Sequence, residues 1–358
     1  MSFNEPENGS RVPPPMPEAP RQRKKAPSGC LWTLIVSQAL VLVVILAVAL
    51  GGVGMCFAFR KPVMSRKAGV DEMPPMQEIW SCGKGDVKVV RIPLKGMILL
   101  EEGGFFPSGA GSARVALRSI QRATMDPNVR AIIMEIDSGG GGITASDVLY
   151  KALLDFKRQQ KGRKVVSVFG DVAASGAYYV ALASDHVTAR PTTITGSIGV
   201  LIQTFNLREL GRKVGVKDVT IKSGENKDLL NPFDDTETGQ WKEQRAMLQG
   251  VIDELHGRFV SLVAKGRGLE EERVREIADG SIFTASKALD LGLVDEIGYW
   301  DDAMTRTREL LSADKIKVFR YEPEFSFSAL LRSSGEWDPV NNVMRESRQP
   351  RFLYMWRP

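Results

Sequence analysis

One serine, Ser175, sits among alanines and glycines in the stretch GDVAASGAYYVALASD, Gly170 to Asp185. VVSVFG before it has strand composition and GAYYVALAS after it has helix composition, which predicts a turn from strand into helix at the serine. At a helix N-terminus, free N–H groups and the positive dipole end favour a developing oxyanion. Ala173, Ala174, Gly176 and Ala177 leave the backbone open to a substrate carbonyl. That is a seat for a nucleophile, although a tight small-residue turn with an incidental serine fits the same pattern.

A serine nucleophile needs a base. The chain has two histidines, His186 and His256. His186 follows Asp185 on the apparent strand HVTAR, and neighbours on a strand face opposite ways, so the pair does not complete a Ser-His-Asp relay. His256 lies on a long helical pattern between Leu255 and Gly257. Both read as structural or surface residues. Lysine remains, as in serine–lysine pairs, where burial can depress its pKa enough to accept a proton. Spacing alone does not choose among the lysines. IKSGENKDLLNPFDD, read as a loop after the apparent strand VKDVTIKS, offers Lys222 and Lys227.

A second chemistry-bearing stretch is MEIDSGGGGITASD, Met134 to Asp147, in which an apolar strand pattern meets four glycines and then a helix. Glycine allows positive φ and close backbone approach. The Lys-Ser/Thr ending of a P-loop and the GxGxxG pattern are both missing, which argues against a nucleotide. Two readings remain: a flexible turn, or backbone N–H groups that hold an oxyanion or pair with an extended peptide.

These stretches need elements to position them. VKVVRIPL, VRAIIMEID and RKVVSVFG read as strands; ARVALRSIQRATMD and TASDVLYKALLDFKRQQ read as helices. Their alternation predicts an α/β fold with crossover connections. In the first helix Val115, Ile120 and Met125 are the apolar positions. A long helix is expected from Thr236 to Lys265, with Trp241, Leu248, Ile252, Leu255, Phe259 and Leu262 on one face for core or subunit packing.

Composition narrows the classes. The 358 residues are 43% hydrophobic and 25% charged, with a net charge of +5. Both signs are mixed along the chain, which argues against a nucleic-acid partner. Cys30, Cys56 and Cys82 are too far apart for a zinc or redox pair, so no metal or disulfide framework is expected. Residues 1–29 are rich in proline and charge and are expected to be disordered. Residues 30–59 include an uncharged run from Leu31 to Phe59, longer than the ~20 residues of a membrane span and than the about 7–15 of a cleaved signal. A retained single-pass anchor is expected in the lipid bilayer. Basic residues flank it on both sides, so charge leaves its orientation tied. Residues 60–85 read as a linker, 86–321 as the main domain and 322–358 as a tail. Arg351, Phe352, Tyr354 and Trp356 in that tail are compatible with a membrane surface, and a disordered end is the plainer expectation.

Taken in order, DSGGGGITAS, GDVAASGAYYVALASD, TTITGSIGV, KSGENKDLLNPFDD and GSIFTASKALDLGLVDEIG resemble the signal peptide peptidase SppA family in its short, single-repeat form. The resemblance runs from about Val87 to Asp302. It implies a Clp-protease/crotonase-like fold of repeated ββα units and a membrane-anchored serine protease without a cofactor. It implies Ser175 as nucleophile, Lys227 as general base and Ser197 as the serine bonded to that lysine. Gly140 and Gly176 would supply the oxyanion hole, and Gly141 and Gly142 would bind substrate. Gly139 stands where the family usually has proline, which loosens the turn. Asp228 and Glu225 flank Lys227, and for it to act as a base both must point away. The resemblance further implies remnant signal peptides and other hydrophobic peptides as substrates. It also implies a homo-oligomeric ring that joins serine and lysine from neighbouring subunits, with the catalytic domain on the extracytoplasmic side of the cell membrane. Two rival expectations are a crotonase-type acyl-CoA enzyme using Asp137 or Asp147, and a non-catalytic membrane scaffold on the same fold.

Overall fold

Alternating apolar residues let the central strands bury both faces, which a parallel sheet between helical layers requires. In the computed structural model, residues 76–100, 112–323 and 352–355 are described, together with Leu42. The chain divides into two units, Met1–Lys67 and Ala68–Pro358, and all described residues but Leu42 belong to the second. The 1–29 segment and, but for Leu42, the predicted anchor lie outside the described residues. Among those described, no helix is long and apolar enough to cross a membrane.

The chain runs through β1 (Met76–Gly83), β2 (Val87–Lys95), α1 (Ser112–Met125), β3 (Val129–Ser138), β4 (Gly140–Gly142), α2 (Ile143–Gln159) and β5 (Lys164–Ala174). It continues with α3 (Gly176–Ala181), β6 (His186–Ala189), β7 (Ile194–Gly196), β8 (Leu201–Ile202), α4 (Arg208–Val214) and α5 (Gly239–Arg267). Then follow α6 (Glu271–Ile277), β9 (Ile282–Thr284), α7 (Ala285–Asp290), β10 (Glu296–Ile297), α8 (Trp300–Leu311), β11 (Ile316–Pro323) and β12 (Phe352–Met355).

The main sheet has the order β1-β11-β2-β3-β5-β6-β10 and is parallel from β11 to β10; β7 pairs with the end of β5 in parallel and with β9 in antiparallel fashion. Ile92, Leu94, Ile132, Met134, Ile136 and Phe169 join one core with Ile120, Leu149, Leu153 and Phe156 of α1 and α2. Val89, Ala131, Ile133, Val166 and Val168 face the other way, against Ala303 of α8. This is an α/β fold with helices on both faces of the sheet. A second, small sheet has the order β4-β12-β8.

Three local expectations change. β1 forms inside the stretch read as a linker, because β11 offers it an antiparallel edge. VKDVTIKS is not a strand: Val219 and Ile221 are 84% and 98% exposed, and among the described residues no strand pairs with them. The stretch read as a tail holds the end of β11 and, in β12, a strand paired on both edges. In α1 Ile120 is fully buried while Met125, at the helix end, is exposed.

Candidate active site

Ser175 links β5 to α3 with φ 52° and ψ −118°. Non-glycine residues rarely adopt positive φ, and such strain persists only where its surroundings over-determine it. Here they do. The Ser175 amide donates to the Gly196 carbonyl at 2.8 Å, and its own carbonyl accepts from Tyr179 N at 2.9 Å. Every residue of α3 is buried. Tyr178 donates its hydroxyl to the Leu293 carbonyl at 2.8 Å. Tyr179 donates to Asp147 Oδ1 at 2.6 Å, and Arg258 from α5 donates to both the Tyr179 hydroxyl and Asp147. Two phenols facing different partners thus fix the short helix. Alongside, Thr195 Oγ1 bonds the Ala173 carbonyl at 2.6 Å and ties β7 to the end of β5.

The electrostatics agree with this lock. Burial pushes the Asp147 carboxyl up, but hydrogen bonds from Tyr179 and Arg258 and the guanidinium charge outweigh it and hold it below the usual range. Burial, reinforced by Asp147, raises the Tyr179 phenol well above its ordinary value. Both groups keep their bonding forms at neutral pH.

The Ser175 hydroxyl itself is free. The residue is 1% exposed and, among the described residues, its Oγ has no hydrogen-bond partner. A buried hydroxyl left unpaired costs about 1–3 kcal/mol, which needs a reason.

The Gly-rich turn lies beside it. The parallel register sets Ser138 against Ala173, two residues before the serine, and β4 begins at Gly140. Gly140 takes φ 103°, closed to ordinary side chains, whereas Gly139 is not left-handed. Ile98 N donates to the Gly140 carbonyl, and Gly142 N donates to the Ile98 carbonyl, each at 2.9 Å. A Cβ on Gly141 would stand 2.4 Å from the Ile98 carbonyl oxygen, so that position admits glycine alone. The Gly140 amide points to Ser138 Oγ at 3.1 Å. Gly176 opens α3, where an amide has no partner within the helix.

Ser197 follows β7 with φ 49°; it is buried, and its amide donates to the Ser281 carbonyl at 2.7 Å. Lys227 lies on an exposed turn, its amide bonded to the Gly224 carbonyl at 3.2 Å. Asp228 is turned to Lys222, with Nζ to the two carboxylate oxygens at 2.8 and 2.9 Å. That hydrogen bond holds Asp228 below the usual carboxylate range. Among the described residues no carboxylate forms an ion pair with Lys227, and no bond joins Lys227 to Ser175 or Ser197. The structure therefore brings Ser175, Gly176 and the Gly140–Gly142 strand together, and among the described residues Lys227 is not bonded to any of them.

Among the described residues neither histidine bonds Ser175: His186 Nε2 meets Glu296 at 3.0 Å, and His256 sits on α5. The two acids of the acyl-CoA reading are engaged too. Asp137 accepts from Val172 N at 3.2 Å, and Asp147 holds Tyr179 and Arg258. Among the described residues no cluster of His, Cys, Asp or Glu could hold a metal. The reading from sequence missed the Asp147–Tyr179–Arg258 lock, because its members lie 32 and 79 residues apart and only the fold brings them together.

Residues 157–314 match peptidase family S49. A signal peptide peptidase SppA of Enterococcus faecium is 32% identical over 259 residues, 71% of this chain and 74% of that one. A Synechocystis protein named as a protease is 39% identical over 64% of this chain and 77% of its own. Protease 4 of Salmonella typhi is 30% identical over 61% of this chain and 34% of its own. Among solved structures, a ClpP1 mutant from Listeria monocytogenes is similar at TM-score 0.38 and 17% identity, over 60% of this chain and 94% of that one. The serine on its strained turn thus lies in a chain that belongs to peptidase family S49, a family of serine proteases.

Proposed function

We propose that the chain is a membrane-anchored endopeptidase of the signal peptide peptidase type, with Ser175 as nucleophile and Lys227 as base. The observation that carries this is a buried, unpartnered hydroxyl on a strained turn beside a glycine strand. A peptide lies extended along Gly140–Gly142. Ser175 Oγ attacks its carbonyl carbon and passes its proton to Lys227 Nζ. The oxyanion rests on the amides of Gly140 and Gly176, the former released from Ser138. Lys227 then protonates the leaving amine, and water hydrolyses the acyl-enzyme. Ser197 orients the lysine. No cofactor takes part.

The lysine comes from a neighbouring copy. In one chain Lys227 makes no bond to Ser175, and the segment before it exposes Val216, Val219 and Ile221. Such side chains call for a cover. The stripe on α5 points the same way. Phe259 is buried, whereas Trp241, Leu248, Ile252 and Leu255 are only half-buried, so the helix leaves the core before its apolar face ends. A homo-oligomeric ring on a Clp-protease/crotonase-like fold meets both needs. The uncharged run supports an anchor in 30–59, and the resemblance to the SppA family supports a catalytic domain on the extracytoplasmic side of the cell membrane, with remnant signal peptides and other hydrophobic peptides as substrates.

The test is complementation. Full-length Ser175→Ala and Lys227→Ala chains should each be inactive on a fluorogenic hydrophobic peptide. Co-assembled, they should regain about a quarter of the activity if mixing is random. Mixed assemblies that stay inactive would place the base within the same chain or on another residue.

A further inference from the structure

Lys227 and Asp228 are neighbours in sequence, and a carboxylate beside a lysine ammonium favours the protonated form. Here the two side chains part. Asp228 joins Lys222, Gln240 and Gln244 in lining a cavity of about 230 Å³, whereas Lys227 is exposed and lies outside that lining. Lys222 Nζ donates to both Asp228 carboxylate oxygens, at 2.8 and 2.9 Å, and to the Glu225 carbonyl at 3.0 Å. One ammonium thus ties the turn on both sides of Lys227. Two side chains of α5 reach the same carbonyl, Gln240 Nε2 at 3.2 Å and Gln244 Nε2 at 3.4 Å, and Gln244 is buried. The glutamines are neutral, so they hold the turn without supplying charge. Glu225, the other acid of the turn, is exposed. Around the pair, Asp218 accepts from Thr220 and Asn231, Asp235 pairs with Arg208 at 2.6 Å, and burial followed by the Asp228 charge pushes the Asp234 carboxyl up. The hydrogen bond from Lys222 holds Asp228 low, so it stays ionised and paired at neutral pH.

We propose that Lys222 is a positioning residue for the base: it draws Asp228 into the cavity and so keeps that carboxylate off the Lys227 ammonium. This rests on the reading of Lys227 as the base and adds the residue that keeps it free. Without Lys222, the adjacent Lys227 is the cation to which Asp228 turns. Losing the Lys222 charge and gaining the Asp228 carboxylate both favour protonated Lys227, so the two effects add. Removing Asp228 instead leaves Lys222 as an unpaired ammonium, which disfavours a second positive charge nearby and acts the other way. Removing both takes away one charge of each sign, and the effects offset. A role limited to holding the turn has a different signature, a loss that is the same at every pH, since Gln240 and Gln244 keep the Glu225 carbonyl whatever the charges.

The experiment records kcat/KM for a fluorogenic hydrophobic peptide as a function of pH, on the full-length chain in detergent. In Lys222→Met the rise of activity with pH should move up by about one unit, so that activity on its acid side falls about tenfold. In Asp228→Asn the rise should move to lower pH. Lys222→Met combined with Asp228→Asn should return it to the parent's position, and Lys222→Arg, which keeps the ion pair, should leave it there. An unmoved rise in Lys222→Met, or a loss at every pH in the assembled chain that Asp228→Asn fails to reverse, would overturn the proposal. If Lys222→Met does not assemble, the acid shift of Asp228→Asn decides: its absence overturns the proposal. Lys227→Ala reads the base separately. An inactive Lys227→Ala beside an unmoved rise removes the role of Lys222 and leaves the base; a Lys227→Ala chain as active as the parent removes both.

Discussion

At the scale of the residue, Ser175 combines two costs: a positive φ and an unpaired buried hydroxyl. Glycine relieves the first, so Ser175→Gly should be more stable than Ser175→Ala by about 1 kcal/mol, against glycine's ordinary penalty, with both inactive. Urea denaturation of the two variants measures this. Glycine less stable than alanine would mean that the turn is not strained. Gly141→Ala makes the opposite prediction. Its Cβ would meet the Ile98 backbone, costing about 2–4 kcal/mol and removing peptidase activity. The serine and its glycines were legible because small residues in a strand-to-helix pattern mark a turn wherever they occur. Neither the bond from the Gly140 amide to Ser138 Oγ nor the turn of Asp228 toward Lys222 had a signal, since both depend on side-chain geometry inside a loop.

At the scale of the element, α3 is a single short helix whose position is decided from outside. Tyr179→Phe keeps the ring among Tyr150 and Phe259 and removes one hydroxyl. It should cost about 1 kcal/mol and lower kcat with little change in KM, because the lock positions Ser175 and does not touch substrate. A change confined to KM would contradict that role. The pH dependence of stability follows from the same groups. Asp147, and Asp295 held low by Arg267 against its own burial, contribute stability above the ordinary carboxylate pKa near ~4. That contribution fades as pH falls through their lower folded values. Tyr178 and Tyr179 are raised by burial, so their contribution is complete below about pH 10 and is lost above it. Urea midpoints recorded across pH should decline on both limbs, and replacing Tyr179 by Phe should shrink the alkaline one. The strands of the main sheet were legible from their apolar runs. β1 and β12 were not: one stood among prolines and charges, and the other has four residues, too few for a period to declare itself.

At the scale of the whole molecule, the described residues leave the Ser175 hydroxyl unpartnered and the apolar side chains of Val216, Val219 and Ile221 exposed. VKDVTIKS has the alternation of a strand and, among the described residues, no neighbour to pair with. The pattern reads correctly as a strand only if a second copy supplies the edge, which no reading of one chain reveals. Substituting Val219 and Ile221 by aspartate should therefore leave the fold intact and abolish both assembly and activity, as size-exclusion with light scattering and peptide hydrolysis would report. Retained assembly would mean that this segment faces solvent.

The most direct test of the central claim is labelling of the full-length chain in detergent with a fluorophosphonate, read by intact mass and peptide map across pH. The account predicts one adduct, on Ser175, absent in Ser175→Ala, strongly reduced in Lys227→Ala, and forming faster as pH rises and the base loses its proton. No adduct on the assembled chain at any pH, or undiminished labelling in Lys227→Ala, would contradict it.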